Sequence, residues 1–308
     1  MTQRLRGLIT PVLTPFDTDF APDAVRLIEH CKWLLGQGSG LAPFGTTSEA
    51  NSMAPEERVA LLDAVIAAGC DPARMMPGTG CCSFMDTVRL TRHAVEHGCA
   101  GVLMLPPFYY KGVSDEGLYR YFSEVVERVG DARLRIYLYH IPPVTAVGIT
   151  TTLVGRLLKA YPGTIVGMKD SSGKWANTQA FLKAFASSGF DVFTGNENFL
   201  LATMRHGGAG CISATANINA AAIRELCAEW DGAAAEAQQV RLNLVREAVD
   251  QNYPMLAALK SVVAAFRNDP VWATVRPPLV ELTIEQATSL AAELDYIGFT
   301  MPGADVLA

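Results

Sequence analysis

The chain has 308 residues, 50% of them apolar and 18% charged, enough to bury a large core and unlike a disordered segment. Its net charge of −6, from 25 basic and 31 acidic side chains with no basic run, excludes a surface built to track a phosphate backbone, and nucleic acid is not an expected partner. No segment approaches the roughly 18 apolar residues of a membrane span, and MTQRLRGLITPVLTPF meets Pro11 and Pro15 before a signal-peptide core develops, so the expectation is a cytoplasmic protein without a membrane partner.

Eight short apolar runs follow one another: GLITPVL (7–13), GLAPFG (40–45), MMPGTG (75–80), GVLMLPP (101–107), RIYLYHIP (135–142), IVGMKD (165–170), DVFTG (191–195) and GCISAT (210–215). Between them lie segments with apolar residues at three- and four-residue spacing, such as Val25, Ile28 and Trp33. Nearly continuous apolar runs are what buried parallel strands require, because helices cover one face and packed side chains the other. The pattern predicts a (β/α)8 TIM barrel. A doubly wound open sheet is the alternative, but its usual glycine-rich loop after the first strand is replaced here by TPVLTPF.

Past residue 218 the pattern is wholly helical, in AAAEAQQVRLNLVREAVDQ, PMLAALKSVVAAF and TIEQATSLAAELDYIG. The division expected is a barrel over 1–230 and a C-terminal helical extension, 231–308, packed on it without a flexible linker.

In a barrel the residues ending the strands face the site. After the second run, FGTTSEA offers Gly45 for a turn and Thr46 and Thr47 as hydroxyls beside backbone N–H groups, either an anion nest or ordinary caps for the helix starting near Pro55. The fourth run ends in PPFYYKG, whose tyrosines either line a pocket or pack at a loop entrance. Tyr139, ending the fifth, is placed to relay protons or to fill the core. Lys169 ends the sixth run after four apolar or small residues. Such surroundings disfavour a charged amine and expose the lone pair that attacks carbonyls; the other reading is a buried salt bridge to Asp170 or another carboxylate. The seven cysteines, Cys31, Cys70, Cys81, Cys82, Cys99, Cys211 and Cys227, form no CxxC pair and read as reduced thiols. The five histidines are read as scattered without a ligand set on one element, and no metal is expected.

The order of these motifs (GTT, then PFYY, YHIPP, GMKDSSG and GCISATAN) resembles the dihydrodipicolinate synthase / N-acetylneuraminate lyase superfamily of Schiff-base aldolases over essentially the whole chain. The resemblance implies that Lys169 condenses with pyruvate or a related 2-oxo acid and that Tyr139 relays protons. It further implies that Thr46 and Thr47 grip the carboxylate and pass protons onward, that Tyr110 reaches into a neighbouring subunit's site and completes the relay, and that backbone groups near Gly195 and Ile212 line the pocket floor. A homo-oligomer, dimer or tetramer, follows from the same likeness, and no cofactor is needed because the imine itself is the electron sink.

Two positions depart from the family pattern. Ser48 stands where the synthase has glycine, which is expected to bring a hydroxyl to the pocket's edge. Val144 stands where the synthase carries an arginine for the carboxylate of its aldehyde, and valine cannot make that contact. For N-acetylneuraminate lyase, the sugar contacts fall on GNENF, a poor match. The expected activity is carbon–carbon bond formation or cleavage through a lysine-bound enamine, with an aldehyde as possible second substrate. The alternatives are dehydration of a 2-oxo-3-deoxy sugar acid, true dihydrodipicolinate synthesis, and a non-catalytic pyruvate-binding relative.

Overall fold

Seven parallel strands organise the computed structural model, which describes residues 4–304. They are Gly7–Thr10 (β1), Gly40–Leu41 (β2), Val102–Met104 (β3), Ile136–His140 (β4), Ile165–Asp170 (β5), Asp191–Thr194 (β6) and Gly210–Cys211 (β7). Residues 1–3 and 305–308, the ends of the N-terminal stretch and of the C-terminal extension, lie outside the described residues.

The sheet order is β2-β1-β7-β6-β5-β4-β3, the chain order written around a ring that is cut between β2 and β3. The third predicted run, MMPGTG, occupies that cut without forming a regular strand. Met76 N–H donates to the Leu41 carbonyl and Gly78 N–H to Pro43, each at 2.7 Å. On the other side Thr79 N–H donates to Leu103 at 3.1 Å, while Leu103 N–H donates to the Pro77 carbonyl at 2.9 Å. Pro77 has no N–H to give, so the ladder is interrupted there although both edges are bridged. The other runs shorten for related reasons: β1 stops before Pro11 and β3 well before Pro106-Pro107.

Each strand, and the 75–79 segment, is followed by a helix, from Ala24–Gly36 after β1 to Ala216–Ala228 after β7. Strand side chains alternate between two layers. On β4, Ile136 and Leu138 join the large core between sheet and helices, whereas Tyr137 and Tyr139 join a separate inner cluster with Ile9, Leu103, Phe193 and Ile212. Gly167 on β5 makes room for that inner layer. A Cβ there would lie 2.5 Å from the Asp191 carbonyl oxygen and 2.6 Å from the Tyr137 ring, so any side chain would expel the tyrosine.

The three predicted C-terminal helices form as Ala235–Asp250, Met255–Phe266 and Ile284–Tyr296, and their apolar residues share one continuous core with the sheet-covering helices. Polar anchors reinforce that packing. Lys260, fully buried, pairs with Glu49 at 2.5 Å and donates to the Thr274 carbonyl at 2.7 Å. His30 accepts from Arg267 at 3.0 Å through Nδ1 and donates to Asn217 at 3.1 Å through Nε2. Burial, and then the Arg267 charge, push its pKa down to about 3, so it is a neutral tie between layers. Among the described residues no helix is long and apolar enough to cross a membrane, and all seven cysteines are free.

Candidate active site

Lys169 is the penultimate residue of β5 and is only 3% exposed. Strand alternation turns it inward with Gly167 and turns Asp170 outward, where Asp170 accepts from the Thr178 hydroxyl at 2.6 Å and the Ser172 N–H at 3.0 Å. The salt bridge that the sequence allows between these neighbours is thereby excluded. Among the described residues no carboxylate lies within ion-pair distance of the Lys169 amine. Lys169 stands in register between Tyr139 on β4 and Phe193 on β6, with Nζ 4.5 Å from the centre of the Tyr139 ring.

The Tyr139 hydroxyl donates to Thr46 Oγ1 over 3.4 Å, a long bond that links the lysine's neighbour to the loop after β2. That loop is bent by Phe44 (φ 63°) and Glu49 (φ 55°), both left-handed, rather than by Gly45. Non-glycine residues pay roughly 1–2 kcal/mol for such backbone, so something must hold them. Glu49 is held by Lys260 and by the Arg276 N–H, which donates to its carboxylate at 2.8 Å. Ser48 does not bring a free hydroxyl to a pocket edge as expected: it is fully buried, donates to the Val12 carbonyl of the loop after β1 and accepts from Gly45 N–H, so its hydroxyl is spent on holding the two loops together.

The capping alternative for the two threonines also fails. The helix Pro55–Ala67 begins behind Ala54, and neither threonine bonds its first turn. Thr47 is buried, and among the described residues no acceptor takes the N–H of Thr46 or Thr47. The loop thus holds two adjacent backbone N–H groups not spent within the protein, with Thr46 bonded to the tyrosine that packs on Lys169, and backbone groups so arranged can receive an anion.

Ile212 belongs to the same inner cluster as Tyr139. Gly195 donates its N–H to the Asp170 carbonyl at 2.7 Å, and a Cβ there would fall 2.0 Å from Ser171 Oγ, so a side chain at this position would have to displace Ser171. Tyr110 and Val144 are not drawn into this group: Tyr110 is 74% exposed, edge-on to Tyr109, and Val144 is exposed on the short helix Pro142–Thr145. Lys111 ties their two loops together, donating to the carbonyls of Phe108 and Thr145.

Sequence reasoning passed over Lys111 and also the buried Glu197. The Glu197 carboxylate accepts from the Ser213 and Thr215 hydroxyls and lies 3.4 Å from Arg246, pinning the segments after β6 and β7 to the helix Ala235–Asp250. GNENF, read only as a poor sugar-contact match, held that signal in an acidic residue two positions past the apolar run DVFTG. His140, beside Asp170, is held below the usual histidine pKa by burial, partly opposed by the Asp170 charge; its Nδ1 accepts from Ile149 N–H at 2.9 Å.

The chain as a whole has counterparts among known proteins. Residues 4–297 match the dihydrodipicolinate synthetase family. The chain belongs to that family. A DapA-like lyase of Chloroflexus aurantiacus is 33% identical over 95% of this chain and 97% of its own. Among solved structures, the dihydrodipicolinate synthase of Agrobacterium tumefaciens superposes with a TM-score of 0.87 at 34% identity, covering 94% of this chain and 99% of that one. YagE, a family member from Escherichia coli K12 solved with pyruvate, superposes at 0.88 with 27% identity, covering 96% and 99%. Within the dihydrodipicolinate synthetase family this chain is a Schiff-base-forming lyase.

The Tyr139–Thr46 contact predicts that Tyr139→Phe keeps the fold but lowers kcat by about 10²- to 10⁴-fold, the range for a positioned proton-transfer group. Steady-state kinetics beside a thermal melt check this. Loss of stability with unchanged turnover per folded molecule would make Tyr139 a core residue only.

Proposed function

We propose that Lys169 attacks the C2 carbonyl of pyruvate or a related 2-oxo acid, and that the resulting imine drives carbon–carbon bond formation or cleavage at C3. The observation carrying this is a buried lysine amine without a carboxylate partner, set against Tyr139. An isolated buried charge is costly; the substrate's own carboxylate, held by the N–H and hydroxyl groups of Thr46 and Thr47, supplies the missing counter-charge. Tyr139 moves protons as carbinolamine loses water and imine becomes enamine. The cationic imine takes up the electron pair released at C3, so no step calls for a metal or organic cofactor.

The architecture belongs to the same proposal. Cyclic strand order and the bonds from residues 75–79 to both sheet edges support reading the ring as a closed (β/α)8 barrel over 1–230, with 231–308 as its helical extension. The site then lies at the C-terminal end of the strands, where barrel enzymes carry their chemistry. The exposed Tyr109–Tyr110 pair supports a homo-oligomer in which Tyr110 reaches a neighbouring site, and seven free cysteines support a cytoplasmic location.

For the second substrate, Val144 favours an uncharged or hydroxylated aldehyde over aspartate semialdehyde, because it offers no partner to a distal carboxylate. The 2-oxo-3-deoxy sugar acid dehydratase is the second reading; it uses the same imine to expel a hydroxyl.

Pyruvate with borohydride is expected to modify Lys169 alone, adding the mass of pyruvate less one oxygen atom, as peptide mass spectrometry will show. Modification elsewhere, or none in an active preparation, would refute the Schiff base. For specificity, kcat/KM with aspartate semialdehyde should fall well below that with uncharged aldehydes, and Val144→Arg should narrow the gap by adding a fork-shaped cation. Efficient use of aspartate semialdehyde by the wild type would instead make it a true dihydrodipicolinate synthase.

A further inference from the structure

The expectation that no element carries a histidine ligand set is corrected by the helix Phe84–Glu96 and its C-cap. His93 and His97 stand one turn apart on it, in HAVEH, and so share a face. Their rings approach to 4.3 Å between centroids. Asp63, on the neighbouring helix Pro55–Ala67, places Oδ1 2.8 Å from His93 Nε2 and 3.2 Å from His97 Nε2. We propose that Asp63, His93 and His97 form a binding site for a divalent transition cation, zinc foremost, on the outer helical layer and apart from the Lys169 chemistry.

Three further features point to a ligand. First, His97 Nδ1 lies 3.0 Å from the His93 carbonyl oxygen, which only accepts, so Nδ1 carries the hydrogen. In the neutral ring Nε2 then keeps its lone pair and aims it at the cluster, the backbone-carbonyl support usual behind a metal-bound histidine. Second, Asp63 Oδ1 and His93 Nε2 are both buried atoms without a hydrogen-bond partner, since their close contact lacks hydrogen-bond alignment. A bound cation would satisfy both lone pairs at once. Third, the three ligand atoms lie within 4.8 Å of one another. Zinc bonds of about 2.0–2.1 Å set tetrahedral ligands roughly 3.3 Å apart, close to the two separations seen.

Two imidazoles and one carboxylate favour zinc, cobalt, nickel or copper over magnesium or calcium, which prefer oxygen alone. The cluster opens onto a groove lined by Glu56, Arg89, Arg92 and Glu96, through which water would complete the coordination. The flanking cations are occupied elsewhere: Arg89 pairs with Glu56 at 2.5 Å, and Arg92 donates to the Arg128 carbonyl at 2.6 Å. The C-terminal end of the helix, where carbonyl dipoles concentrate negative potential, adds to the attraction. The cation would cross-link the helices after β2 and after the 75–79 segment, which makes its expected effect structural.

The test uses untagged full-length protein stripped with chelator and titrated with zinc chloride by calorimetry, followed by thermal melts. One zinc per chain is expected, with a raised Tm. His97→Gln, His93→Gln and Asp63→Asn should each weaken binding by more than about tenfold, the loss that even outer partners of a metal typically cause. They should also abolish the Tm rise while pyruvate trapping at Lys169 persists, which keeps this proposal separable from the catalytic one. Cobalt(II) should give the visible absorption of a tetrahedral site in the wild type only. No stoichiometric uptake by the wild type would overturn the site and leave a plain histidine–aspartate ion pair. Uptake undiminished in all three variants would place the metal elsewhere, the exposed Cys82 included, and would overturn it equally.

Discussion

A β-strand sends successive side chains to opposite faces, and the two residues at the end of β5 use that rule to part a lysine from an aspartate. Asp170 turns toward the helices, where Thr178 and Ser172 satisfy it; Lys169 turns into the inner layer, where no carboxylate among the described residues pairs with it. Gly167, two residues earlier on the same face, leaves the space that Tyr137 fills, so the layer beneath the lysine is packed with buried side chains. A reactive amine needs this combination of enclosure and missing counter-charge. With Asp170 on the same face, the pair would neutralise itself and the lysine would be a structural residue.

The threonine loop depends on a second constraint, set by distant sequence. Its backbone turns through left-handed conformations at Phe44 and Glu49, and the Glu49 carboxylate is fixed by Lys260 and the Arg276 N–H from the C-terminal helical region. Desolvation pushes the Lys260 pKa down while the Glu49 charge holds it up, so the pair repays its burial only as a pair. Glu197 with Arg246 ties the segments after β6 and β7 to the same helical region. The C-terminal helices therefore shape the site although none of their residues is proposed to touch substrate.

The strand pattern was legible because buried parallel strands read as apolar runs, and seven of the eight runs form strands while the eighth bridges two strand edges. Lys169, Tyr139 and the two threonines were legible because each closes such a run or begins the loop after it. Strand ends were overdrawn where proline removed a donor, at Pro11, Pro77 and Pro106. Lys260 was not legible at all: inside PMLAALKSVVAAF it looks like a helix cation facing water, and only the arrival of Glu49 from across the chain explains its burial. Ser48 was misjudged for a similar reason, since its acceptor is the Val12 carbonyl of the preceding loop. The His93–His97 pair was visible as spacing, yet Asp63, which gives it meaning, comes from another helix.

The claim on which the functional account rests is that Lys169 converts pyruvate to an enamine without help from a second substrate. Proton NMR of pyruvate in heavy water, with enzyme and no aldehyde, tests it directly, because every enamine that returns to imine takes up deuterium at C3. The methyl signal should decay with the wild-type enzyme and stay at the buffer rate with Lys169→Ala. Undiminished exchange in that variant, or none above buffer in the wild type, would contradict the account.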